Sequence, residues 1–157
     1  MLVQPISTEY AAGLFDGEGC IHLGKGPQFR KTIMMGVTYR PIVESFVAKY
    51  GGKLYKYASP TGSRAIYRWQ LSSKAKIKNF LNSVRPFLLE KAAQADLMLY
   101  LVENKTNAYL LEEAYQDMKH LKIATYLEET EQFPMLNFGY HPVTKRLAHL
   151  NTFKQFY

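Results

Sequence analysis

Two acidic residues separated by one glycine, Asp16 and Glu18, follow a run of small residues near the start of the chain. Two helices that carry small residues such as Ala12 and Gly13 can approach closely across a two-fold axis. Close approach would bring two copies of Glu18 together. A carboxylate is a hard oxygen ligand for Mg²⁺, and two of them could hold metal ions that stabilise the attacking and leaving oxygens in phosphodiester hydrolysis.

Positive charge is concentrated in one part of the sequence. The chain of 157 residues has a formal net charge of +7, and residues 20–85 contain 13 lysines and arginines against one acid, Glu44. Residues 101–157 carry 6 basic and 7 acidic residues. A localised basic face is the expected footprint of a polyanion binder, although a solvated basic surface would have the same composition.

The hydrophobic pattern predicts two similar helix–hairpin halves followed by further helices, which is an α+β arrangement. The predicted elements are a helix capped by Ser7 or Thr8, strands over residues 20–26 and 28–38, a helix from Pro41 to Gly51, strands over residues 53–57 and 65–71, and helices that begin after Ser72 or Ser73, at Pro86 and after Asn107. Gly17 and Gly19 end the first helix.

Residues 10–21, Tyr-Ala-Ala-Gly-Leu-Phe-Asp-Gly-Glu-Gly-Cys-Ile, resemble the motif that names the LAGLIDADG homing endonucleases. Residues 11–19 fill the nine places of that motif, with Phe15, Gly17 and Glu18 as variants. The order αββαββα and the paired glycines Gly51 and Gly52 are also similar to that family. The resemblance implies an αββαββα core whose antiparallel sheet forms a DNA-binding saddle, with C-terminal helices added.

The resemblance also implies an activity: hydrolysis of both strands of a long pseudo-palindromic DNA duplex, with Mg²⁺ or another divalent cation such as Mn²⁺. In that family the last acid of the motif binds metal, which here is Glu18, and the Gly17 carbonyl adds a ligand. Asp16 takes a structural place. Because the chain has one copy of the motif, we expect a homodimer with Ala12 and Gly13 in its interface, and a role in intron or intein mobility.

Two further residues are candidates for the catalytic site. Residues 85–94 look like the family's stretch ahead of its last core helix, and Lys91 falls where a family lysine contributes to the site. An ammonium near the scissile phosphate can stabilise transition-state charge, although most lysines are surface residues. After the second strand the sequence departs from the family pattern, and Arg40 is the candidate for a phosphate-binding charge there.

Strand alternation predicts a shared outward face of groove-reading residue types. This face would contain His22, Gln28, Arg30, Thr32, Lys53, Tyr55, Tyr57, Arg68 and Gln70, with Lys25 and Arg64 near the turns as phosphate contacts. The tyrosines would also suit a stacking platform for single-stranded nucleic acid. We rank that reading lower, because aromatic residues are favoured in strands for packing alone.

The remaining expectations concern domains, compartment and rival functions. We expect an endonuclease core over residues 1–125 and a C-terminal extension of unknown role over residues 126–157. With Cys20 as the single cysteine, no signal-peptide pattern and no apolar stretch long enough for a bilayer, we expect a soluble intracellular protein without a membrane partner. A catalytically silent DNA-binding regulator and an RNA-binding intron-splicing helper on the same fold remain alternatives.

Overall fold

The computed structural model describes residues 3–130, with side chains described for residues 3–123. The elements are α1 (Thr8–Glu18), β1 (Gly19–Leu23), β2 (Lys31–Val37), α2 (Arg40–Tyr50), β3 (Lys53–Tyr57), β4 (Ile66–Leu71), α3 (Lys74–Val84), a 3₁₀ turn (Arg85–Phe87), α4 (Ala92–Glu103) and α5 (Ala108–Thr130). This order confirms the predicted αββαββα core with helices added after it. Within these residues, every helix is too short or too polar to cross a membrane.

One antiparallel sheet contains the four strands in the order β1-β2-β4-β3, so the two hairpins meet along β2 and β4. Gly19 lies opposite Met35, Met35 opposite Trp69, and Trp69 opposite Leu54. Because side chains alternate along a strand, this row and every second row face the helices, and their large side chains belong to the core. The rows between them form the opposite face of the sheet, where most residues are exposed or half-buried.

An aromatic cluster joins α2 and α3 to the sheet. The fully buried Trp69 ring lies 5.0 Å from the centroid of Phe46 and 4.8 Å from that of Phe80. The Trp69 indole N–H donates to the Gly51 carbonyl at 2.8 Å. Gly51 and Gly52 have φ values of 75° and 93°, a region that favours glycine. The glycine pair therefore ends α2 and also gives the buried indole its hydrogen-bond partner.

The second strand is shorter than the prediction, which began it at residue 28. β2 begins at Lys31 because Phe29 interrupts the extended chain with a left-handed φ of 42°, an uncommon conformation for a bulky residue. The Phe29 N–H donates to the Gly26 carbonyl at 3.2 Å. Its ring packs edge-on against Tyr115 of α5, with centroids 6.5 Å apart. This turn is thus accompanied by a contact between residues far apart in sequence, which the alternation of polar and apolar residues could not predict.

Two other predicted boundaries differ from the structure. The helix predicted from Pro86 is divided, because the 3₁₀ turn is followed by the extended residue Leu88 and α4 begins only at Ala92. The predicted domain boundary at residue 125 falls inside α5, which continues to Thr130. Most of the predicted C-terminal extension, residues 131–157, lies outside the described residues.

Gly19 ends α1 at a position without room for a side chain. Its N–H donates to the Phe15 carbonyl, and a Cβ there would overlap the Phe15 ring. We expect Gly19→Ala to lower the free energy of unfolding by about 2–4 kcal/mol, because the ring or the helix end must shift. Urea denaturation followed by circular dichroism measures the loss.

The matched control is Gly26→Ala, since a Cβ at Gly26 meets no atom within 4 Å. This variant should change the free energy of unfolding by no more than about 0.5 kcal/mol. Equal effects of the two substitutions would show that the packing of Phe15 against Gly19 is unimportant for stability.

Candidate functional site

Glu18 occupies the last position of α1 and is exposed, as is Gly17 before it. Among the described side chains, none forms a hydrogen bond or ion pair with the Glu18 carboxylate. The C-terminal end of a helix carries partial negative charge from carbonyls that lack helical partners. A free carboxylate at this end is therefore suited to a cation.

Asp16 is directed inward and ties α1 to the segment before α4. Its carboxylate accepts the backbone N–H groups of Leu89, Glu90 and Lys91 at 2.9, 3.0 and 2.9 Å. Burial on its own would raise the pKa of Asp16, but these hydrogen bonds and the nearby Lys91 charge outweigh it and hold the pKa below its ordinary value. The two acids of the motif thus differ. The Asp16 carboxylate has hydrogen-bond partners within the protein, whereas the Glu18 carboxylate has none among the described side chains.

Lys91 lies at the same helix end but is only 6% exposed. Its ammonium donates to the Asp16 carbonyl, and it lies 3.5 Å from the Glu90 carboxylate. A cation next to the last turn of a helix is favourable. The segment that carries Lys91 is held in turn by Arg85, which forms two hydrogen bonds of 2.7 and 2.8 Å to Asp96 of α4.

Arg40 lies in the first turn of α2 and has partners of its own. Its Nε donates to Glu44 at 2.7 Å, one turn along the same helix, and its guanidinium lies 6.0 Å from the ring centroid of Tyr67. Tyr67 stands in register with Val37, on the side of the sheet that faces the helices. Arg40 is therefore at the end of the sheet on its helical side, and its catalytic role stays a prediction.

The exposed face of the sheet brings most of the predicted DNA-contacting residues together. Cys20, Met34, Gln70 and Lys53 form one row, Gly36, Arg68 and Tyr55 the next, and Ile66 and Tyr57 a third, while His22 pairs with Thr32. Cys20, Met34, Gly36 and Ile66 were not among the predicted contacts. The same alternation places them on this face, so they were omitted for their residue type alone.

Several predicted contacts lie elsewhere or are shielded. Thr32 is on the correct face but only 3% exposed, and it lies on the inner strand β2 opposite His22. Gln28 and Arg30 are exposed in the turn before β2 and not on the strand, near the exposed Lys25. Arg64 is exposed between β3 and β4, as predicted for a turn residue.

Helix α5 also reaches this face, which the sequence did not predict. The Lys122 ammonium lies 3.7 Å from the Cys20 sulfur, and Lys25 lies 3.8 Å from the Glu112 carboxylate. Burial and then the positive charge of Lys122 lower the pKa of His22. These contacts join residues between 87 and 102 positions apart, so hydrophobic periodicity carried no signal for them.

The predicted interface residue Ala12 is in the wrong place for an interface. It is 0% exposed within the protomer, as is Ala11, because this side of α1 packs on the sheet and α3. Gly13 is exposed, and a Cβ there would meet nothing within 4 Å. The free face of α1 therefore consists of Tyr10, Gly13 and Gly17.

Neither a family model nor a curated protein sequence matches this chain, whereas solved structures do. The homing endonuclease I-CvuI in complex with its target has 21% identity and a TM-score of 0.59, over 73% of this chain and 80% of that chain. The LAGLIDADG meganuclease I-AabMI bound to uncleaved DNA has 18% identity and a TM-score of 0.54, over 74% and 44%. The archaeal intron-encoded homing endonuclease I-Vdi141I complexed with DNA has 14% identity and a TM-score of 0.54, over 94% and 96%.

These likenesses and the element order define the class of the fold. The described residues form an α+β core with one antiparallel sheet and with helices α1, α2 and α3 packed on one of its faces. The chain has the fold of the LAGLIDADG homing endonucleases, which confirms the resemblance carried by residues 10–21.

The low pKa of Asp16 makes its contribution to stability depend on pH. A carboxyl whose folded pKa is depressed stabilises fully above the unfolded value, near 3.8, and this stabilisation is lost as the pH falls through the lower folded value. We expect Asp16→Asn to lower the free energy of unfolding by about 1–3 kcal/mol at pH 7. The deficit should narrow below about pH 4, and denaturation at pH 7 and at pH 3.5 measures the difference.

Glu9→Gln serves as the control, because Glu9 is an exposed acid in the first turn of the same helix. It should alter stability by no more than about 0.5 kcal/mol. A deficit in Asp16→Asn that is the same at both pH values would mean that the ionised carboxylate is not what holds the two segments together.

Proposed function

We propose that this chain is a homodimeric, metal-dependent DNA endonuclease that cuts both strands of a long pseudo-palindromic site. The observation that carries the proposal is the free, exposed Glu18 carboxylate next to the exposed face of the sheet. Gly36 and Arg68 on that face lie one register step beyond the pair of Gly19 and Met35, on the side of that pair where α1 ends at Glu18, and this position supports the proposal. I-CvuI and I-AabMI were crystallised with DNA, which supports duplex DNA as the ligand.

The donors at this end of α1 fit a divalent metal ion. The Glu18 carboxylate and the Gly17 carbonyl are hard oxygen donors of the kind that Mg²⁺ and Mn²⁺ take, and I-CvuI was crystallised in 2 mM Ca or Mg. When bound, the ion would stabilise charge on the attacking and leaving oxygens of the phosphodiester. Lys91, fixed against the Asp16 carbonyl, adds a positive charge near the same helix end.

A second protomer would supply the second acid. Within residues 3–123, no three side chains of His, Cys, Asp or Glu gather into a group that could hold a metal. On the free face of α1, Gly13 and Gly17 are the small residues that close approach of two helices requires.

The sheet would hold the duplex on each side of the dimer axis. Its exposed face carries side chains with both donors and acceptors, which read base edges in the major groove. The turn that contains Lys25, Gln28 and Arg30 lies at one end of the hairpin β1–β2, and Arg64 lies in the loop of the other hairpin. Among these exposed residues, the cations Lys25, Arg30 and Arg64 would hold phosphates and make binding fall steeply with salt.

Removal of the Glu18 charge tests the catalytic part of the proposal. We expect Glu18→Gln to reduce cleavage of a randomised duplex library in Mg²⁺ by at least about a hundredfold, because the negative ligand is lost while the side-chain shape is nearly kept. Binding of the selected duplex should stay within about threefold of the wild type. Sequencing of the cut ends and gel-shift titration measure the two effects.

Glu9→Gln is the matched control and should cut at the wild-type rate, since Glu9 lies at the opposite end of α1. If the wild type and Glu9→Gln bind a specific duplex but neither cuts it, the DNA-binding regulator would be favoured. Tighter binding of structured intron RNA than of any duplex would favour the splicing helper. Each of these outcomes would overturn the nuclease.

Obstruction of the free face of α1 tests the dimer. Gly13→Glu places a charged side chain in open space on the protomer, so it should leave the fold intact while preventing two helices from meeting. We expect a dimeric wild type and a monomeric variant in analytical ultracentrifugation, with cleavage lost in the variant. Ala48→Glu, at an exposed position of α2, controls for added charge, and a monomeric wild type that still cuts both strands would contradict the proposal.

A further inference from the structure

Gly36 creates a recess in the middle of the exposed sheet face. It lies on the inner strand β2 opposite Arg68 of β4 and is exposed. A Cβ there would meet only one atom within 4 Å, the Cγ2 methyl of Ile66 at 3.4 Å. Glycine inside a strand weakens it and often marks a place where a ligand approaches closely. The recess is therefore a candidate contact point for a bound group.

Arg68 is the register partner of Gly36 on β4, and its side chain is already oriented. Its guanidinium lies 4.3 Å from the ring centroid of Tyr57 on β3, and stacking of this kind restricts the side chain before any ligand binds. None of the ion pairs among the described residues involves Arg68. Its N–H groups are thus free for an external acceptor, and the guanidinium fork matches the O6 and N7 atoms of guanine.

The other sides of the recess are apolar. Ile66 is 45% exposed on the same strand as Arg68, and the half-buried Met34 precedes Gly36 on the same face of β2. In the major groove the C5 methyl of thymine is the apolar group that bases present. A methyl group in the recess would touch the Cγ2 methyl of Ile66, with Met34 next along the same face, while the arginine binds the neighbouring base.

We propose that Arg68 and the recess formed by Gly36, Ile66 and Met34 read a guanine next to a thymine in each half-site. The inference deepens the proposed function and rests on it. Because this row is one register step beyond Gly19, towards the end of β1 that follows Glu18, the guanine–thymine step lies in the inner part of the half-site, near the cut. His22 and the turn before β2 would contact the outer part of the half-site.

The test begins with selection of bound duplexes from a randomised library by the full-length protein in Ca²⁺. A guanine–thymine step should appear in the inner part of both half-sites. In the selected duplex, replacement of that thymine by uracil removes only the methyl group and should weaken binding about fourfold. Replacement of the guanine by 7-deazaguanine removes one acceptor and should weaken binding about tenfold or more.

Two protein variants connect these losses to the recess. Gly36→Val fills the recess at a position with room for a Cβ, and Ile66→Ala removes one side of it without changing the backbone conformation. In both variants the ratio of the affinities for the thymine duplex and the uracil duplex should fall to about one. Replacement of the guanine by 7-deazaguanine should still weaken binding. Arg64→Met, in the loop between β3 and β4, is the control, because loss of a phosphate contact should weaken both duplexes equally and keep the ratio of their affinities.

The outcomes separate this inference from the function on which it rests. Binding without any sequence preference would overturn the proposed function and the inference together. A specific site that lacks the guanine–thymine step, or one in which uracil binds as well as thymine, would overturn only the reading by Arg68 and the recess.

Discussion

The hydrogen bonds of Asp16 determine where every other part of the candidate site stands. One carboxylate accepts three backbone N–H groups from residues 89–91, and Lys91 from that segment donates back to the Asp16 carbonyl. These hydrogen bonds, in which each segment both donates and accepts, fix the end of α1 against the segment that precedes α4. Glu18 follows two residues later, between this contact and Gly19, which pairs with Met35 in the sheet, so both neighbours hold the backbone at Glu18.

Helix α1 divides its surface between two tasks. Ala11, Ala12 and Phe15 are fully buried in the protomer, whereas Gly13 and Gly17 leave open space on the other side. Small residues appear on both faces: the alanines let the helix lie close to the sheet and α3, and under the proposed function the glycines would leave room for the helix of a second protomer. A single small-residue pattern in sequence cannot distinguish these uses, which is why Ala12 was assigned to the wrong face.

The sequence predicted the features that depend on short-range periodicity. Alternation gave β3 with its observed bounds and placed Arg68, Gln70, Tyr55 and Tyr57 on one face, and helical spacing with caps gave α1 to α3. It failed where contacts between distant residues decide the structure. Phe29, with its left-handed backbone conformation, packs on Tyr115, and the Lys122 ammonium lies near the Cys20 sulfur. Neither contact can be predicted from local hydrophobic periodicity.

The two faces of the sheet separate stability from recognition, residue by residue. Trp69 and Leu71 are buried in the core, while Arg68 and Gln70, their neighbours on the same strand, face outward. A mutation at an outward position changes what the sheet can bind and leaves the packing beneath it unchanged. Under the proposed function, a sheet of this kind could acquire a new target through substitutions at its outward positions, because those positions are separate from the buried core.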